Sequence, residues 1–107
     1  MKVYLNSKRR DIDAVGEYDA TTKCLIVKKG SKVSAAISTA PTFRSARSVA
    51  KYRDLYVTEN TVKEDVSFSS ASSAANFVTG SSTDGTRAWK NGEGESISSI
   101  MKKMEEH

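Results

Sequence analysis

The sequence predicts an α+β fold, a small and mostly antiparallel sheet of four or five strands packed with two or three helices, and three observations carry that reading. Apolar residues alternate, or run together as β-branched types, through the first third of the chain. Further on, three stretches repeat apolar residues at three- and four-residue steps, the spacing of one helix face. The junctions carry cap and turn chemistry, most clearly Ser69-Ser70 before one apolar stripe and Gly80 after it.

Taken in order, Val3-Tyr4-Leu5 opens a strand near 3–6, and Asn6-Ser7-Lys8 turns the chain. Ile12, Ala14, Gly16 and Tyr18 alternate with polar positions in a strand over 12–19. Thr21-Thr22 form a turn into a second arm over 23–33, with a bulge or bend at Gly30. This pair reads as a β-hairpin. Ser34 to Pro41 is small and polar, a loop or a frayed helix start. Ala46, Val49, Ala50, Tyr52, Leu55 and Tyr56 then form the stripe of an amphipathic helix over 44–57. Val66-Ser67-Phe68 closes a strand over 64–68 and hands over to a helix over 70–79, whose inner face is Ala71, Ala74, Ala75 and Val78. Asp84-Gly85 is a tight-turn dipeptide, and segment 86–90 is a candidate edge strand carrying Trp89. After a loop at Asn91 to Glu95, Ile97, Ile100, Met101 and Met104 mark a helix over 96–105 that docks on the sheet or on a partner chain.

A chain of 107 residues is expected to form one domain spanning 1–107. No apolar run approaches the ~20 residues of a membrane span, and the start MKVYLNSKRR lacks a signal-peptide core, so a cytoplasmic location is expected. The single cysteine, Cys24, sits in an apolar run and reads as a buried strand thiol. With the only histidine at position 107 and no function expected of it, neither a His-assisted nucleophile nor a His/Cys metal site is at hand. The carboxylate pairs Asp11/Asp13, Glu64/Asp65 and Glu93/Glu95 all fall in polar turns and read as solvated surface charge. No catalytic residue, metal or cofactor is expected.

Charge is uneven: residues 1–53 carry 12 Lys and Arg against 4 Asp and Glu, whereas residues 54–107 carry 5 against 9. The basic half, with two cations further on, supplies candidate phosphate contacts at Arg9, Arg10, Lys28, Lys29, Arg44, Arg47, Lys51, Arg87 and Lys90. Ser72 and Ser73 join them, because free amides and hydroxyls at a helix start can hold an anion oxygen. Capping explains the same serines, and a solvated surface explains the same cations.

The order Ala14-x-Gly16-x-Tyr18, then Val27, Lys28, Gly30 and Ser31, then Phe68, Ser70, Ala74 and Ala75, then Gly80, Gly85 and Trp89-Lys90 resembles a small domain of unknown function. That domain occurs C-terminal to GIY-YIG nucleases and as stand-alone bacterial proteins. It is similar, more distantly, to a domain associated with restriction enzymes and adenine methylases. Two departures stand out: Ala71 replaces the proline of the family pattern, and Asp84 its asparagine. The nuclease motif itself is absent, so cleavage is not implied. The resemblance implies a non-catalytic nucleic-acid-binding module, DNA favoured, accessory to nuclease or restriction-modification systems. The alternative is a protein-interaction or oligomerisation module, with the Met101/Met104 helix or a strand edge as its contact.

Overall fold

The computed structural model describes residues 1–105, so His107 lies outside the described residues. Ten elements follow one another: β1 (Lys2–Ser7), β2 (Ile12–Tyr18), β3 (Leu25–Val27), α1 (Ala46–Tyr56), β4 (Val57–Thr58), β5 (Thr61–Val62), β6 (Val66–Phe68), α2 (Ala71–Thr79), α3 (Gly85–Ala88) and α4 (Ile97–Glu105). The architecture is α+β. Strands β1-β2-β3-β6, in that order and all antiparallel, form the main sheet, and β4 and β5 form a separate hairpin. No helix among the described residues is long and apolar enough to cross a membrane.

The period-2 pattern sets one face of the sheet inward. Val3 and Leu5, then Ile12, Ala14 and Tyr18, then Leu25 and Val27, then Val66 and Phe68 are all buried. Helix α2 covers that face with Ala71, Ala74, Ala75, Phe77 and Val78, and Trp89 and Ile97 complete the core. Burying a side chain the size of Phe77 contributes about 2–3 kcal/mol. Both ends of α2 are closed: the Ser70 Oγ accepts from the Ser73 amide, and Gly80 at φ 69° stops the helix in the left-handed region. A Cβ on Gly80 would lie 2.4 Å from the Ala36 carbonyl oxygen, so glycine is required for space as well as conformation.

Four expectations are corrected. The arm proposed over 23–33 is a strand only at Leu25–Val27, because the chain turns at Lys28–Ser31, where Ser31 N donates to Lys28 O. Cys24 precedes that strand and is partly exposed, with its Sγ near the Thr22 carbonyl; it is no buried strand thiol. Asp84-Gly85 begins a helix instead of making a tight turn into a strand: Asp84 caps α3 by accepting from Thr86 N, and a Cβ on Gly85 would sit 2.1 Å from the Ala71 carbonyl. Segment 86–90 is accordingly helical through Ala88, and only Lys90 pairs with the sheet, exchanging backbone hydrogen bonds with Tyr4. The apolar stripe of α1 is also largely uncovered. Val49 is its one buried residue, and Leu55 is 56% exposed.

Candidate nucleic-acid interface

The predicted cations separate into four groups along the fold. Arg9 and Arg10 lie in the β1–β2 connection, and Lys28 and Lys29 follow β3. Arg44, Arg47 and Lys51 belong to α1 and the turn before it. Arg87 is on α3 and Lys90 borders β1. Helix α1 packs its Tyr52 ring against Phe68 of β6, whereas Lys90 pairs with β1 at the opposite edge of the sheet. Three inter-strand steps, about 14 Å, separate those edges, so the residues do not share one face.

Several candidates have internal partners. Arg10 donates to the Thr79 carbonyl at 2.6 Å and to Ser81 Oγ, at the electronegative end of α2. Lys28 pairs with Asp65 at 2.9 Å, and the same carboxylate accepts from Lys29 N. Those bonds, the Lys29 amide first, hold the exposed Asp65 carboxyl below the usual aspartate range. Arg87 faces Asp84. Ser72 Oγ accepts from Gly85 N and so ties α3 to α2, while Ser73 supplies the capped amide and its hydroxyl accepts from Ser70. Among the carboxylates read as surface charge, Asp11 pairs with Lys32, and Glu95 accepts from Lys103 and from Asn91.

Arg53 shows how a basic stripe misleads. It lies on the same helix as Arg47 and Lys51, yet its guanidinium is inserted beside α2. Nε donates to Phe77 O, Nη1 to Ser34 O, and Nη2 to Ser34 Oγ and Val78 O. Burial pushes its pKa down to about 10, and acceptors on every side hold the cation at neutral pH. The signal was missed because nothing in the sequence separates a cation facing carbonyls from one facing water. Arg44, Arg47 and Lys51, by contrast, are exposed and make no ion pair among the described residues. The four-residue step from Arg47 to Lys51 places those two on one side of α1, and Arg44 precedes them in the turn before the helix.

Beside that row lies a groove of about 330 Å³ between α1, α2 and β6. Tyr52, Phe68 and Phe77 provide its aromatic surface, with mutual ring centroids 5.1–6.3 Å apart. Ser45 and Ser48 from the α1 side, Ser67 and Ser69 from the β6 side, and Ser73 and Asn76 from α2 form its walls. The Ser45, Ser48, Ser67 and Ser69 hydroxyls have no hydrogen-bond partner among the described residues, and no ionisable acid or base other than the Tyr52 phenol lines the groove. Sequence reading missed it. Serines read as filler until the fold gathers them.

The β6 edge adds backbone groups. Lys28 N donates to Val15 O and Asp19 N to Cys24 O, which fixes the alternation along β3. Ile26 turns its peptide groups toward β2, while Leu25 and Val27 turn theirs toward Phe68 and Val66 of β6. Ser67 between them therefore faces its N–H and C=O outward at the sheet's open edge.

No curated protein and no solved structure matches the chain. A family model described as a domain of unknown function, DUF4357, matches residues 3–101, from within the first strand into the last helix. That stretch covers the core, the α1 row and the groove together, and the chain belongs to the DUF4357 family of domains.

Proposed function

We propose that the domain is a non-catalytic nucleic-acid-binding module, with DNA as the favoured target, serving nuclease or restriction-modification systems. The observation that carries this reading is the row of Arg44, Arg47 and Lys51, exposed and without ion-pair partners beside the α1–α2 groove. Neighbouring cations without internal partners make a local positive field that attracts a polyanion, and phosphate is the anion that nucleic acids present at regular spacing. Resemblance to the domain that accompanies GIY-YIG nucleases supports the same reading. The working surface is narrower than the charge asymmetry suggests, because Arg10 and Lys28 are engaged internally.

The test is fluorescence anisotropy of labelled single strands and duplexes at ~50 and ~200 mM salt. Binding should weaken steeply with salt, since each phosphate neutralised adds roughly 0.7–0.9 to the log–log slope. Arg44→Glu, Arg47→Glu and Lys51→Glu together should abolish binding, while Arg9→Glu with Lys29→Glu should have a smaller effect. Undiminished affinity in the triple variant would remove the reading.

One observation favours the second reading, a protein-interaction module: Leu55 and Met104 are 56% and 57% exposed. A concentration-dependent rise in mass by light scattering, lost in Leu55→Lys, would support it.

A further inference from the structure

We propose that the groove between α1, α2 and the β6 edge is a receptor for one unpaired nucleobase of the bound strand. This rests on the nucleic-acid reading above and adds to it what the bound molecule inserts.

The lining selects the ligand class. Tyr52 presents an accessible ring at the mouth, packed on Phe68 and Phe77 so that its plane is held in place. A flat, polarisable ligand gains most from such a surface. Around it stand hydroxyls and one carboxamide, groups that both donate and accept. Asn76 Oδ1 is taken by Thr83 N, which fixes the amide so that its NH2 is left to donate. The Ser67 N–H and C=O at the strand edge offer one further donor and acceptor. A neutral heteroaromatic ring with donors and acceptors around its edge matches this set, whereas an aliphatic ligand leaves it unsatisfied and an anion finds no cationic side chain among the lining residues.

The surroundings select a base that is still attached to its strand. Arg44, Arg47 and Lys51 are exposed next in the chain to the groove-lining Ser45, Ser48 and Tyr52, and would hold the phosphates flanking the inserted nucleotide. A volume of about 330 Å³ is at the lower end for ligand pockets, suited to one base and too small for a base pair. An added peptide strand is the less suitable occupant, because β6 spans three residues and turns only Ser67 outward.

The experiment compares three labelled 12-mers in low salt: a mixed-sequence single strand, the same strand with tetrahydrofuran abasic residues throughout, and the blunt duplex. The base-bearing strand is expected to bind roughly 5- to 160-fold tighter than the abasic strand, the range for stacking one base on an aromatic side chain. Ser48→Leu fills the groove from an exposed position with no hydrogen bond of its own, and Tyr52→Ala removes the ring. Both variants should bring affinity for the base-bearing strand down to the abasic level without changing affinity for the abasic strand. Equal affinity of the wild-type protein for base-bearing and abasic strands would overturn the base receptor while leaving phosphate-driven binding intact. Binding of none of the three probes would overturn both proposals. Full base discrimination retained in Ser48→Leu would move the base elsewhere on the protein.

Discussion

Helices α1 and α2 have similar lengths and both read as amphipathic, yet the fold uses them in opposite ways. Six of the nine residues of α2 are buried, its first turn is capped by Ser70, and Gly80 ends it. Only Val49 is buried in α1, Ser45 makes no side-chain cap, and the helix passes directly into β4. The core would lose its floor without α2. It would lose little apolar contact without the outer side of α1, where the uncommitted cations and Leu55 lie. A helix that the core does not require can keep a surface for a ligand, and this is the structural reason to look for function on α1.

The largest expected difference between the helices concerns packing. Phe77→Ala should cost about 3–5 kcal/mol by urea denaturation, as for other large core side chains cut to alanine. Leu55→Ala should change stability by less than about 0.5 kcal/mol, the usual range for a surface site. A cost near that of Phe77 at Leu55 would show that α1 is covered in solution. The next effect is the one polar tie from α1 to α2. Arg53→Met leaves the Ser34, Phe77 and Val78 carbonyls without a charged donor and should cost about 2–3 kcal/mol, whereas Arg47→Met should stay within about 0.5. Smaller still is the difference in caps. Ser70→Ala should lower stability by about 1 kcal/mol, and Ser45→Ala should leave the melting curve in place.

The smallest effect separates the α1 row from the cations near β3. The Asp65 carboxyl lies below its ordinary range because Lys29 N and the Lys28 ammonium bond to it. A lowered folded-state value means that Asp65 contributes stability above the ordinary aspartate pKa, and that this contribution fades as pH falls through the folded value. The stability gap between wild type and Asp65→Asn should therefore be small and constant near neutrality and close in acid, below pH ~4. A gap persisting at pH ~2 would mean that the carboxylate charge is not its source.

Legibility followed the range of the interactions. The unit from Phe68 to Gly80 was read nearly to the residue because its cap, apolar face and left-handed stop are all local. Trp89 is fully buried, and its Nε1 bond to Ala71 O depends on a neighbour far away in the chain. The β4–β5 hairpin was missed since its turn places Glu59 at φ 51° and Asn60 at φ 63°, and glutamate gives no warning of a positive φ. The aspartate before Gly85 suggested a tight turn, but the glycine is needed for close approach to Ala71. Among the site residues, Arg47 and Lys51 could be grouped by helical spacing alone, with Arg44 in the turn just before them. That Arg53 would turn inward, and that Lys90 would lie across the sheet from α1, depended on the order of strands.

The exchange of backbone bonds between Tyr4 and Lys90 has a consequence for synthesis. Tyr4, on the outer edge of β1, leaves a ribosome well before Lys90, the residue that closes that edge, is made. At roughly 5–20 residues per second, that edge waits on the order of ten seconds for its partner. Throughout that interval the nascent protein carries an unprotected strand next to the hollow that Trp89 will fill, open to any other extended chain nearby.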